Sequence, residues 1–353
     1  CGLATYIYQL SHKTAISPAA RVLQFASPGF DICIEETFAA WANGAALVLR
    51  DAGMNLSVDE FLAGCERHTI SWLSLPTAWW HELCAALDSD KLALPASIRS
   101  VVIGGEKARL DAFAVWRKNA PGVQLLNTYG PTETSIAATW YDLTHLDPES
   151  SGELPIGHPV PNVYAWVMDE HLRPLPAGVP GELYIGGAGV APGYWQRPEL
   201  SAERFVSDPF STHQEARLYQ TGDRARYLAD GRLVFLGRMD GQLKIRGHRI
   251  EPGEIEAVME RLDGVVNCAV TLHEPSMSDS SEPANARLVA YIVGNVTVAK
   301  LRQQLREFLP AYMQPDAFVV IDKLPLTING KLDYRALPDP DFERDATQEF
   351  VEP

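Results

Sequence analysis

Gly237-Arg238-Met239-Asp240-Gly241-Gln242-Leu243-Lys244-Ile245-Arg246-Gly247-His248-Arg249-Ile250-Glu251-Pro252-Gly253-Glu254-Ile255-Glu256 is the stretch from which the organisation of this 353-residue chain is read. It separates two textures. Downstream, Ile255, Val258, Met259 and Leu262 fall on one face of a helix. A strand at residues 288–293 follows, then a second helix striped by Val298, Leu301, Leu305 and Leu309, and a strand at 317–321. That pattern predicts a small α+β domain with its own core. Upstream, short strands at residues 164–168, 182–185 and 233–236 are separated by dense Gly and Pro, which predicts a β-rich part shaped as a distorted barrel. Further back, residues 22–126 alternate apolar runs with helical segments, an α/β signature. There, Ser57-Val58-Asp59-Glu60 is a capping box opening a helix through Phe61, Leu62 and Cys65. Residues 70–75 and 101–103 read as strands, the second running into Gly104-Gly105-Glu106.

Composition narrows the classes. An apolar content of 46% supplies a packed core, and the formal charge of −15 disfavours a phosphate-backbone partner, so no nucleic acid is expected. No apolar run reaches the roughly 18 residues of a membrane span. The start, Cys1-Gly2-Leu3-Ala4, has no signal-peptide pattern; the acidity fits a soluble cytosolic enzyme, and a cytoplasmic location is expected. A start at Cys rather than Met also suggests a piece of something longer. The five cysteines, Cys1, Cys33, Cys65, Cys84 and Cys268, are scattered without a CxxC pair, which argues against a disulfide framework or a thiolate zinc site.

Several segments carry chemistry-bearing side chains. Asn127-Thr128-Tyr129-Gly130-Pro131-Thr132-Glu133-Thr134 directly follows an apolar strand. Such a turn offers N–H groups and hydroxyls to a phosphate, a carboxylate to Mg²⁺ and an aromatic face to a base; it equally describes a Gly-Pro turn joining two elements. The glycine cluster of residues 181–190 is a weak signal, consistent with strand-turn packing alone. Tyr219-Gln220-Thr221-Gly222-Asp223 sets an acid after a tight turn, suited to vicinal ribose hydroxyls or simply to the turn. Ile328-Asn329-Gly330-Lys331-Leu332-Asp333 puts Lys331 on a turn, where a lysine is ordinarily solvated surface.

Taken together and in this order, these motifs resemble the adenylation domains of non-ribosomal peptide synthetases, in the adenylate-forming superfamily that also holds acyl-CoA synthetases and luciferases. The resemblance covers essentially the whole chain. It implies an α/β core fragment with its β-rich subdomain over residues 1–238, a small mobile α+β domain over 239–336, and a linker at 337–353 leading to a carrier domain. It implies ATP and Mg²⁺ as cofactors. Asn127 and Tyr129 would hold and stack on the adenine, with Gly104, Gly105 and Glu106 supplying backbone around it; Thr128 and Gly130 would belong to the same nucleotide site, Thr132 would meet the α-phosphate and Glu133 the Mg²⁺. Asp223, assisted by Arg238, would bind the ribose, Asp240 would be the hinge and Lys331 the catalytic lysine. Partners implied are the amino acid, the phosphopantetheine of a downstream carrier, upstream condensation or other synthetase domains and a small accessory protein. The family's phosphate-binding loop has no match here, and Pro192 and Tyr334 stand where Arg is usual.

By the same resemblance the amino-acid pocket is lined by Asp31, Ile32, Glu35, Ser74, Val102, Gly104, Thr128, Ile136, Ala137 and Lys331, with Asp31 facing the α-ammonium and Lys331 the α-carboxylate. Glu35 is the one charged residue among the rest. A lone buried carboxylate is costly without a partner, and a cationic side chain would supply it, bidentately if a guanidinium. The expected substrate is therefore L-Arg or L-Lys, with Tyr as a further long hydrogen-bonding side chain. The competing expectation makes Glu35 a solvated helix-start acid, with Ile34, Phe38 and Trp41 as the buried stripe of that helix. An acyl-CoA or aryl-acid ligase is the enzymatic alternative, disfavoured by Asp31, and an inactive carrier-binding scaffold the non-enzymatic one.

Overall fold

Strands buried on both faces read as largely apolar runs, and Trp72–Pro76 and Ser100–Gly104, interrupted only by Ser74 and Ser100, are of this kind. They lie inside a seven-stranded sheet: β1 (Arg21–Gln24), β2 (Ala46–Leu49), β3 (Trp72–Pro76), β4 (Ser100–Gly104), β5 (Gln124–Tyr129), β6 (Thr139–Asp142) and β7 (His158–Pro159), in the order β2-β1-β3-β4-β5-β6-β7. The first five run parallel, while β6 and β7 are antiparallel additions. The computed structural model describes residues 2–55, 57–89, 92–147, 152–239, 243–245, 248–273, 287–325, 332 and 336–340. The chain divides into two compact units, Cys1–Asp240 and Gly241–Pro353.

Helices cover both faces of the parallel part. On one face lie α1 (Gly2–Lys13) and α2 (Asp31–Ala42), whose Tyr6, Ile7, Leu10 and Ala40 share a core with Val22, Trp72, Val102 and Leu126. On the other lie α3 (Val58–Arg67), α4 (Thr77–Ser89) and α5 (Leu110–Asn119), packing Phe61, Trp80, Phe113 and Trp116 against Leu73, Leu75, Val101 and Ile103. The capping box is formed: Ser57 Oγ accepts the Glu60 backbone N–H at 3.2 Å.

The second sheet of this unit is antiparallel: β8 (Val163–Met168), β9 (Gly181–Gly187), β10 (Phe205–Ser207), β11 (Arg217–Tyr227) and β12 (Leu233–Arg238), ordered β10-β11-β9-β8 with β12 also on β11; the short α6 (Pro198–Arg204) precedes β10. Strand β11, at 11 residues, has no signature in the sequence, because RLYQTGDRARY carries too many charges to read as a strand. A shared core of Tyr129, Ala138, Ile156, Val167, Ile185, Ala225 and Leu233 joins the two sheets.

In the second unit, the hairpin β13 (Leu243–Ile245)–β14 (His248–Ile250) precedes α7 (Pro252–Met259). The sheet of β15 (Val265–His273), β16 (Arg287–Gly294) and β17 (Ala317–Val320) packs against α7 and α8 (Val298–Phe308) through Ile255, Met259, Leu301, Leu305, Val270 and Ile292. The periodicities of Ile255–Met259 and Val298–Leu305 thus do mark buried helix faces.

One glycine fixes the junction between the two sheets of the first unit. Gly157 bridges to Leu233 of β12, has φ +83°, and a Cβ there would come within 1.9 Å of the Trp140 carbonyl oxygen. Gly157→Ala combines a left-handed backbone with a main-chain clash. It is expected to cost about 2 kcal/mol or more and to lower the thermal midpoint by several degrees, read by calorimetry.

Candidate active site

The parallel strands follow the order 2-1-3-4-5, in which the chain leaves β1 in one direction and β3 in the other. In open α/β sheets the crevice at the carboxyl ends of such strands is where ligands bind. The segment after β1 opens α2 with Asp31, and β3 contributes Ser74. Glu35, one helical turn after Asp31, is 2% exposed and accepts hydrogen bonds from Tyr6 Oη at 2.5 Å and Ser74 Oγ at 2.8 Å. Ser74 is in register with Val102 on β4, and Val102, Ile136 and Ala137 pack in the same cluster as Tyr6. These residues thus meet across α1, α2, β3, β4 and the turn after β5.

The expected buried stripe of α2 is corrected here. Ile34, Phe38 and Trp41 are 41%, 45% and 62% exposed, and the inward face carries Glu35, Glu36, Ala39 and Ala40. Small alanines let the helix backbone approach, and both carboxylates find donors, so polarity did not decide the face. Glu36 accepts the N–H groups of Phe25 and Ala26 at 3.0 and 3.1 Å, which ties the loop after β1 to the helix. Burial raises the Glu35 carboxyl to about 7 and the Glu36 carboxyl to about 8, opposed in each case by those hydrogen bonds.

Around the ends of β4 and β5, Gly104 leaves room for the Thr128 side chain: a Cβ at 104 would come within 2.6 Å of Thr128 Oγ1, which donates to the Ile103 carbonyl at 2.9 Å. Gly105 is exposed with φ +92°, and Glu106 is half-buried beside it. Asn127 is buried and donates from Nδ2 to the Pro155 carbonyl at 2.9 Å. Gly130 lets its turn lie against the chain that follows it, since a Cβ there would stand 2.5 Å from Ala137 Cα. Tyr129 donates its hydroxyl to Asp223 Oδ2 at 2.5 Å, and Arg238 donates to Asp223 Oδ1 at 2.8 Å. The side chain of Asp223 is 2% exposed and that of Arg238 10%, so this is a buried pair. Burial and the adjoining Asp223 carboxylate hold the Tyr129 phenol well above its usual range. Thr132 is exposed on the turn Thr132–Thr134, and Glu133 accepts from Tyr194 Oη at 2.7 Å. Ile32 is half-buried in the first turn of α2. Lys331 and Asp240 lie outside the described residues.

Tyr6, Glu36 and Tyr194 are not legible as site residues in the sequence. Nothing there marks a tyrosine on α1 as facing Glu35, and Tyr194 meets Glu133 only because β9 and the following loop fold back.

For the ion, the donor set suits Mg²⁺, which is typically held through one or two carboxylates plus substrate phosphates. Glu133 sits half-buried on a turn beside the exposed Thr132, and among the described residues no group of three His, Cys, Asp or Glu could hold a metal by itself. No helix of the described residues is long and apolar enough to cross a membrane.

The candidate residues of the first unit thus gather near the carboxyl ends of β1, β3, β4 and β5, beside the second sheet that carries Asp223. The AMP-binding enzyme family matches residues 2–195 and the AMP-binding enzyme C-terminal domain matches residues 254–331, so the chain belongs to the AMP-binding enzyme family, as an adenylation domain of the non-ribosomal peptide synthetase kind. It is similar to a component of the linear gramicidin synthase of Brevibacillus parabrevis, 42% identical over 339 residues, which is 95% of this chain and 4% of that protein. It is likewise similar to malpibaldin synthetase of Mortierella alpina, 42% identical over 336 residues, 93% of this chain and 6% of that one. The chain therefore spans a small fraction of these relatives. Among solved structures, the Vibrio cholerae adenylation domain AlmE in complex with glycyl-adenosine-5'-phosphate superposes with a TM-score of 0.80 at 26% identity, covering 98% of this chain and 62% of that one. A synthetase protein containing adenylation and PCP domains gives 0.77 at 29%, covering 91% and 53%.

The raised Glu35 carboxyl makes a stability prediction. Because its folded value of about 7 exceeds the ordinary 4.5, folding favours the protonated form. Its contribution is present below about pH 4.5 and is lost as pH rises through about 7. Glu35→Gln should flatten the pH dependence of the unfolding midpoint over this window and leave the variant the more stable of the two at pH 8; an unchanged slope would contradict the burial argument.

Proposed function

We propose that the domain activates a long basic amino acid, L-Arg or L-Lys, with tolerance for Tyr, as its aminoacyl-adenylate, and passes it to the phosphopantetheine thiol of a carrier domain. The observation that carries the substrate class is Glu35. It is a fully buried carboxylate at the switch point, with two hydroxyl donors and, among the described residues, no cationic partner. An ionised carboxylate in such a place is stabilised by an incoming ammonium or guanidinium far more than by a neutral side chain. Val102, Ile136 and Ala137 would flank the stem of the substrate, and the small side chain of Ala137 would leave length for it.

In the first step, a carboxylate oxygen of the amino acid attacks the α-phosphorus of ATP and the bond to pyrophosphate breaks. The nucleophile is already ionised at neutral pH and needs no general base. The protein aligns it and offsets the developing charge. Asp31 takes the α-ammonium, Thr132 the α-phosphate, and Asp223, already oriented by Tyr129 and Arg238, the ribose hydroxyls. Gly104, Gly105, Glu106, Asn127 and Tyr129 would border the adenine, and Lys331 would offset charge at the phosphorus and bridge the substrate carboxylate and the ribose oxygens. Mg²⁺ at Glu133 supplies charge neutralisation when bound. In the second step, the carrier thiolate attacks the acyl carbon and AMP leaves, after the second unit has turned about Asp240. AlmE, solved with an aminoacyl-adenylate, and the adenylation–PCP protein support this sequence by analogy.

Two measurements test the reading in the full-length protein. In ATP–pyrophosphate exchange, Glu35→Gln should lower the Arg/Tyr and Lys/Tyr activity ratios at least tenfold; unchanged ratios would refute the substrate class. Asp240→Pro should reduce thioester loading of the carrier severalfold more than exchange, and an equal loss in both steps would remove the hinge role.

A further inference from the structure

Glu35 does not meet the pocket alone. From α1, nearly thirty residues earlier, Tyr6 places its hydroxyl 2.5 Å from Oε2, while Ser74 on β3 takes Oε1 at 2.8 Å. Tyr6 is 2% exposed, and its ring sits in the cluster of Val102, Ile136 and Ala137, with the Trp140 ring centroid 6.2 Å away. A phenol at this place is not needed for packing, since a phenylalanine ring would fill the same volume. What the hydroxyl adds is a donor to a carboxylate that has no counter-charge among the described residues.

We infer that Tyr6 is a specificity-determining residue, whose hydroxyl keeps the Glu35 carboxylate ionised and oriented so that the pocket selects a cationic side chain. The inference rests on the preceding reading that Glu35 faces the substrate side chain.

The groups acting on Glu35 are few and their signs are clear. Burial and the Asp31 carboxylate, one turn earlier on the same helix, disfavour its charge; Tyr6 and Ser74 favour it. Glu36, the next residue, is raised in part by Glu35 and faces the loop after β1 together with Arg50, which follows β2. Arg21, the charged residue of β1, is engaged with the His68 carbonyl instead. The balance leaves the carboxyl at about 7, within reach of physiological pH, so deletion of one donor changes which form predominates. Tyr6 itself is held well above its usual range by burial and by Glu35, so it remains a donor throughout. With the carboxyl protonated, the pocket is a neutral, hydrogen-bonding cavity that suits a side chain such as that of Tyr as well as it suits Arg.

The test is the pH profile of the Arg/Tyr ratio in ATP–pyrophosphate exchange, measured with the full-length protein. The ratio cancels the α-amino group common to both substrates, and the guanidinium does not titrate. In the parent protein the ratio should rise with pH as Glu35 ionises. Tyr6→Phe, which keeps the ring, should lower the ratio about tenfold at pH 7, displace the rise upward by about one pH unit, and regain the parent ratio at high pH. Replacement of Tyr6 by 3,5-difluorotyrosine, a stronger donor, should displace it downward, and provides a second reading should Tyr6→Phe fold poorly. A Tyr6→Phe profile coincident with the parent, or lowered equally at every pH as for a packing residue, overturns the inference while leaving the substrate class intact. A parent ratio that is independent of pH and unaffected by Glu35→Gln overturns both.

Discussion

The carboxylate of Asp223 is the constraint on which the first unit turns. It lies on β11 of the antiparallel sheet, yet one oxygen receives the hydroxyl of Tyr129 from the end of the parallel sheet and the other the guanidinium of Arg238 from β12. A charge buried to this degree is tolerated when paired and hydrogen-bonded, and removal of either partner strands it. The two sheets are therefore locked through a polar contact at the rim of the apolar core they share. The pairing of β11 with β9 is irregular between Gln220 and Arg224, next to the same acid. Such irregularities redirect side chains, and here one adjoins the acid that Tyr129 and Arg238 hold.

Glu35 and Asp223 are both buried acids, but they are compensated in different ways. Asp223 has a permanent cation in Arg238. Glu35 has hydroxyls alone among the described residues, which orient a carboxylate but do not neutralise it. Electrostatically, the first is complete within the protein and the second is not. That contrast explains why burial pushes the Glu35 carboxyl toward neutrality.

Much of this architecture could be read from the sequence because local signals and tertiary demands agree. The parallel strand at 101–103 is apolar throughout and the one at 70–75 is apolar but for Ser71 and Ser74, as burial on both faces favours, and the helices of the second unit repeat at helical spacing. The motif order indicates an adenylation domain, and the family matches bear that out. Sequence reasoning fails where a long-range contact overrules polarity. Helix α2 turns two glutamates inward and Ile34, Phe38 and Trp41 outward, because donors from α1, β3 and the loop after β1 are waiting. None of those donors is encoded within the helix itself. Likewise Arg217, Asp223, Arg224 and Arg226 mask β11 in the sequence, although Leu218, Tyr219 and Ala225 are buried in it.

Ser135 and Ile136 occupy left-handed backbone in succession, at φ 66° and 74°. For a β-branched residue this is among the least favoured conformations, and it is maintained because Gly130 brings the opposing chain against Ile136 and Ala137. The core here thus contains a residue that its own backbone resists. Exchange of Ile136 for glycine would relax the chain but surrender the apolar burial that Ile136 makes beside Tyr6, Val102 and Leu126, and the lost burial is the larger effect. Packing therefore holds the strain in place, and room can be opened at this position only against the stability of the core.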